Sequence, residues 1–186
     1  MSRILTTVLA GAAMAAAMVV VSVGTVPREV DAASRFKTVT KTFSESQEIF
    51  IPLQFAAGSA TPYPSEINAR SFKRGKIVDV NVKLEDFSHT NPADIDVMVS
   101  HRGVNRIVMF DVSGDEDISN ITLRLDDEAD NPLPGDPLTS GRFRPTNALG
   151  GGESQLDPFP VPAPAPGERV KLSGFDGENP NGSWKL

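Results

Sequence analysis

Beyond residue 33, apolar and polar residues alternate with a period of two along much of the chain. In residues 77–84, Val78, Val80, Val82 and Leu84 fall on one face, and Asp79, Asn81 and Lys83 on the other. That is the pattern of a half-buried strand. Ile95, Val97 and Val99 alternate with Asp96, Met98 and Ser100, and Ile121, Leu123 and Leu125 with Thr122, Arg124 and Asp126. Ile49, Ile51 and Leu53 form another run, which Pro52 moves towards a sheet edge. Residues 104–110 are apolar on both faces and predict a more deeply buried strand; 169–172 and 182–186 predict two more. No segment carries a convincing helical period. Thr90-Asn91-Pro92, His101-Arg102-Gly103 and Ser113-Gly114-Asp115 punctuate the runs as turns. Short alternating strands between such turns predict an all-β antiparallel sandwich, and one-sided alternation disfavours a parallel sheet.

The first 32 residues follow another rule. Arg3 is followed by 23 uncharged residues from Ile4 to Val26, rich in Ala, Val and Met, and Val30-Asp31-Ala32 offers a small-x-Ala cleavage pattern. This predicts an export segment over 1–32, either a signal peptide removed after Ala32 or a retained anchor. Either way, 33–186 lies outside the cytoplasm as one domain, secreted or at the cell surface.

Composition narrows the chemistry. With no Cys there is no disulfide framework, thiolate nucleophile or Cys-ligated metal. A formal charge of −6 argues against a nucleic-acid partner. The charge is uneven: residues 34–110 carry ten basic and eight acidic side chains, residues 111–186 six and fourteen. Residues 126–167 hold nine of the fifteen prolines, with alternating Pro158, Pro160, Pro162, Pro164 and Pro166. Composition reads this as an extended linker, and a strap across a sheet is the competing reading.

Several stretches carry a family likeness. They are Phe87-Ser88-His89-Thr90-Asn91-Pro92 leading into Asp94-Ile95-Asp96-Val97, Asp126-Asp127-Glu128-Ala129, and Leu138-Thr139-Ser140-Gly141. Phe143-Arg144-Pro145-Thr146-Asn147, Leu172-Ser173-Gly174-Phe175 and Gly182-Ser183-Trp184-Lys185-Leu186 follow in order. In this order they resemble the P domain of proprotein convertases in its bacterial form, over roughly residues 43–186. The resemblance implies a jelly-roll sandwich of the kind that stabilises a subtilisin-like protease, and it makes the proline-rich segment part of the domain. It also implies a closing Gly-Trp-x-Leu strand. The chain stops two residues after Trp184, so the final strand is expected to be missing. An unpaired edge would then invite self-association or strand donation by a partner.

Three chemistries come into question. A hydrolase would need His89 or His101 as base, yet no Gly-x-Ser-x-Gly elbow accompanies them. His101 reads as a solvated turn residue, and His89 as a strand-exit residue bonded to nearby backbone. Structural calcium is the second candidate, because P domains bind it and acidic turns offer hard oxygen ligands. Its candidate ligands are Asp94 and Asp96, read as sharing one strand face, together with Asp111, Asp115, Asp117, Asp126 and Asp127. No EF-hand spacing occurs, and a solvated acidic rim is the plainer reading. Sugar binding is the third, and one Trp, one Tyr and ten Phe, with Trp184 read as core, supply few exposed platforms. The expected function is therefore an exported, non-catalytic accessory or interaction domain whose partner is a secreted protease or another surface protein. A detached portion of a secreted subtilisin-like protease and a calcium-dependent adhesion module stand as alternatives.

Overall fold

A computed structural model describes residues 13–14, 16–24, 37–52, 58–112, 114, 116–135, 137–148, 158–165, 167 and 169–186. Among the described residues twelve strands run in chain order: β1 (Ala13–Met14), β2 (Ala16–Gly24), β3 (Val39–Glu45), β4 (Ile49–Phe50), β5 (Glu66–Ala69) and β6 (Lys76–His89), followed by β7 (Val97–His101), β8 (Val104–Phe110), β9 (Ile118–Leu125), β10 (Gly141–Phe143), β11 (Thr146–Asn147) and β12 (Gly182–Lys185). Two 3-10 turns, Pro92–Asp94 and Leu172–Phe175, are the only helical pieces among the described residues.

The strands form two five-stranded sheets packed as a sandwich, ordered β10-β9-β6-β2-β3 and β11-β8-β7-β12-β5, with a small β1-β4 pair beside them. The sheets are mixed, not purely antiparallel. β10 runs parallel to β9, and β11 parallel to β8. These additions are only three and two residues long, too short for alternation to announce them.

Between the sheets lie Val80, Val82, Leu84, Leu123 and Leu125 from the first, and Val97, Val99, Ile67 and Trp184 from the second. Leu172 and Phe175 close one end. Each such side chain contributes about 1.5–3 kcal/mol by leaving water.

Alternation along β6 breaks once. Ser22 pairs with Asp79, but Val23 pairs with Ile77, so Val78 is an extra residue. This bulge turns Ile77 into the core at 1% exposure and leaves Val78 46% exposed, the reverse of the expected facing for Val78. Further along, Asp86 and Asn120 take positive φ beside the two irregularities between β6 and β9, a conformation their short polar side chains tolerate.

Two other expectations are corrected, and one apolar segment has a place in a sheet. Residues 169–171 are not a strand; the chain stays irregular and enters the Leu172–Phe175 turn, which buries Leu172 and Phe175 together as strand alternation could not. Of the 49–53 run, only Ile49 and Phe50 pair as strand, and Leu53 lies outside the described residues. Finally, Ala16–Gly24, read as part of the export segment, is hydrogen-bonded between β3 and β6 inside the first sheet.

Candidate functional site

The second sheet has a covered outer face. Met98 and Ile107 pair across β7 and β8, and with Phe110 they are buried yet stand apart from the inter-sheet core. What covers this face includes the proline-rich segment. The Phe159 ring meets Phe110 at 6.3 Å, and the Tyr63 hydroxyl donates to the Pro160 carbonyl at 2.8 Å. The described stretch 158–165 therefore lies against the sheet as a strap. Prolines suit this place because they fix an extended backbone and bring no N–H that would need a partner.

Between strap and sheet runs a groove of about 740 Å³. Met98, Ser100 and Asn105 contribute its floor from β7 and β8, and Ile49, Ile51 and Tyr63 a wall. Phe159, Pro160 and Pro162 line the strap side. Four charged residues line the groove: Asp94, Arg102 and Lys185 are exposed, and Asp96 is half-buried. Lys185 is paired with Glu66 at 3.3 Å. Burial raises the Tyr63 phenol above its ordinary value. The lining is apolar with a few polar groups, which suits an extended polypeptide segment or another elongated ligand.

The two histidines are placed by backbone contacts. His89, 3% exposed at the end of β6, accepts from the Asn91 N–H at 3.1 Å through Nδ1, and its Nε2 lies 3.4 Å from the Pro52 carbonyl. His101 is not a solvated turn residue. It closes β7 at 1% exposure, stacked on Trp184 with ring centroids 4.0 Å apart and an angle of 2°. Its Nδ1 and Nε2 lie 2.9 and 2.7 Å from the carbonyls of Ser183 and Asn179. The turn begins one residue later, at Arg102.

The acidic candidates separate. Asp94 and Asp96 do not share a strand face: Asp94 ends a 3-10 turn, and Asp96 lies just before β7. Asp96 and Asp111 do meet, with the Asp111 N–H donating to Asp96 Oδ1 at 3.4 Å. Asp117 is exposed ahead of β9, and Asp115 lies outside the described residues. Asp127 accepts the Leu172 and Ser173 N–H groups at 2.9 and 2.8 Å and so holds the start of the 3-10 turn.

Asp126 is 1% exposed and gripped from two sides. Arg142 donates Nε at 2.8 Å and a terminal nitrogen at 3.0 Å, and Arg124 approaches at 3.0 Å. Burial alone would raise its carboxyl. Hydrogen bonds from Arg142 and Glu128, with the Arg142 charge, outweigh this and hold it below the ordinary range. Glu128 is raised in turn, first by its hydrogen bond with Asp126 and then by burial. Asp176 is raised by burial and by the charges of Asp79 and Asp127. Among the described residues, no three His, Asp or Glu side chains are grouped to hold a metal ion.

No protein-family model, curated protein or solved structure matches the chain.

Proposed function

We propose that the chain is an exported, non-catalytic interaction domain, a P-domain-like jelly roll. Its strapped groove holds an extended segment of a secreted protease or another surface protein. The observation that carries this reading is the groove itself, with an apolar wall at Ile49, Ile51 and Tyr63 and a prebuilt strap at Phe159 and Pro160. A preformed site of this kind spares the binder much of the ordering cost of association. The engagement of both imidazoles by backbone groups supports a non-catalytic role.

The test is selection of a random twelve-residue peptide library on the immobilised protein. Recovered peptides are then measured against Ser100→Trp, which fills the groove floor from a partly exposed position. The reading expects affinity to fall at least tenfold. Recovered peptides that bind Ser100→Trp as well as the wild type would remove it.

A further inference from the structure

The place of β2 in the first sheet makes two demands that its sequence does not meet together. β2 runs antiparallel to both neighbours, with seven register pairs to β3 and nine to β6. Val19 and Val21 are 2% and 0% exposed in the core. Yet Ala16–Gly24 lies within the segment that reads as an export leader. If the leader is removed after Ala32, β3 and β6 each lose a row of backbone partners, and the core loses two valines. Unpaired strand edges facing each other across a strand-wide gap form a template for an incoming strand.

The flanking residues say what strand belongs there. Partners in register share a face of the sheet. Places 18, 20 and 22 lie beside Ser44, Thr42 and Thr40 on β3, and beside Lys83, Asn81 and Asp79 on β6. Both flanking rows are polar. Residues 16–21 read Ala-Ala-Met-Val-Val-Val and do not alternate. Where β2 does offer a hydroxyl, at Ser22, it donates to Asp79 Oδ2 at 3.1 Å and lies 3.3 Å from the Thr40 hydroxyl. Two residues along, Asn81 is in register with Val20. Asn81 is 3% exposed; its amide nitrogen donates to Asp79 Oδ2, and its buried Oδ1 has no hydrogen-bond partner among the described residues. A buried amide oxygen beside place 20 calls for a donor that valine lacks.

We propose that in the exported, processed chain the place of β2 is an acceptor slot for a strand donated by a partner polypeptide. That strand carries aliphatic residues at places 19, 21 and 23 and Ser, Thr or Asn at places 18, 20 and 22. This rests on the export reading above.

The experiment produces the full chain in a secreting host, and the mass of the exported protein gives its N-terminus. Labelled nonapeptides are then titrated by fluorescence anisotropy. One has the sequence of residues 16–24, a second adds Met18→Thr and Val20→Thr, and a third adds Val19→Lys and Val21→Lys to the second. The expected result is an exported protein lacking residues 1–32 that binds the threonine peptide at least tenfold tighter than the native sequence and ignores the lysine peptide. Failure to export overturns the reading beneath the proposal. Export with residues 16–24 retained leaves export standing and overturns the slot, as does a processed dimer that no peptide opens, or equal binding of all three peptides.

A second arm needs no processing. In the uncleaved chain, Val20→Thr raises Tm by about 2–4 °C, and the gain vanishes on Asn81→Leu. A gain that persists there, or no gain, overturns the donor requirement.

Discussion

Replacing Asp126 by asparagine keeps the shape of the side chain and removes its charge. The carboxylate lost is 1% exposed, accepts two bonds from Arg142 and one from the Glu128 N–H at 3.0 Å, and forms an ion pair with Arg124. Breaking a fully buried ion pair costs about 3–5 kcal/mol. Here the guanidinium side chains are 50% and 45% exposed, so both return to water when released. Charge-assisted bonds with one wet partner point to a loss of about 2 kcal/mol, or about 4–8 °C in Tm. The buried Trp184 gives a fluorescence signal for urea unfolding at fixed pH. The folded carboxyl is depressed, so its contribution is full above the ordinary Asp value of ~3.9 and fades as pH falls through the lower folded value. The raised Glu128 acts oppositely: its cost appears as pH rises past its own ordinary value, and Asp126→Asn relieves part of it. The gap between wild type and variant therefore closes on acidification. A loss at pH 7 under about 0.5 kcal/mol, the scale of an ordinary surface change, or one equally large in strong acid, would refute the assignment of Asp126 as an electrostatic clasp.

Other substitutions probe other joints. His101→Ala removes the stack on Trp184 and leaves two carbonyls facing a cavity, so unfolding free energy should fall by about 3 kcal/mol, read by urea titration. Gly174→Ala drives a Cβ into the Arg106 guanidinium; the arginine must leave Phe175 and the Lys171 carbonyl, at about 1–2 kcal/mol by calorimetry. Tyr63→Phe severs one bond to the strap and should cost only about 0.5–1.5 kcal/mol, with the largest rise in hydrogen exchange at Ala163.

Alternation is readable where one face of a strand meets the inter-sheet core, whether the other face is wet or covered. β6, β7, β9 and β12 are close to what Val80-Asn81-Val82-Lys83, Val97-Met98-Val99-Ser100, Ile121-Thr122-Leu123-Arg124 and Ser183-Trp184-Lys185 imply. It failed where geometry departs from period two, as at Val78, or where pairing is decided at a distance, as for Gly141–Phe143 and Thr146–Asn147. The 16–24 run is apolar at almost every place, which fits a leader and a buried strand equally well. The groove was illegible because residues 49–51, 62–64, 94–105 and 158–164 converge only in the folded chain. Phe159, set among alternating prolines, was the one local hint of a strap. The burial of His101 is hidden in the sequence because Arg102 and Gly103 mark a turn, while its own ring belongs to the preceding strand and stacks on a residue 83 positions away.

The claim that the groove is the binding site is tested most directly by amide chemical-shift mapping of the isotope-labelled protein with a selected peptide. Shifts are expected to cluster at Ile49, Tyr63, Met98, Ser100, Asn105 and Phe159. Shifts centred instead on Thr40, Thr42 and Asn81 of the other sheet, with the groove unmoved, would contradict it.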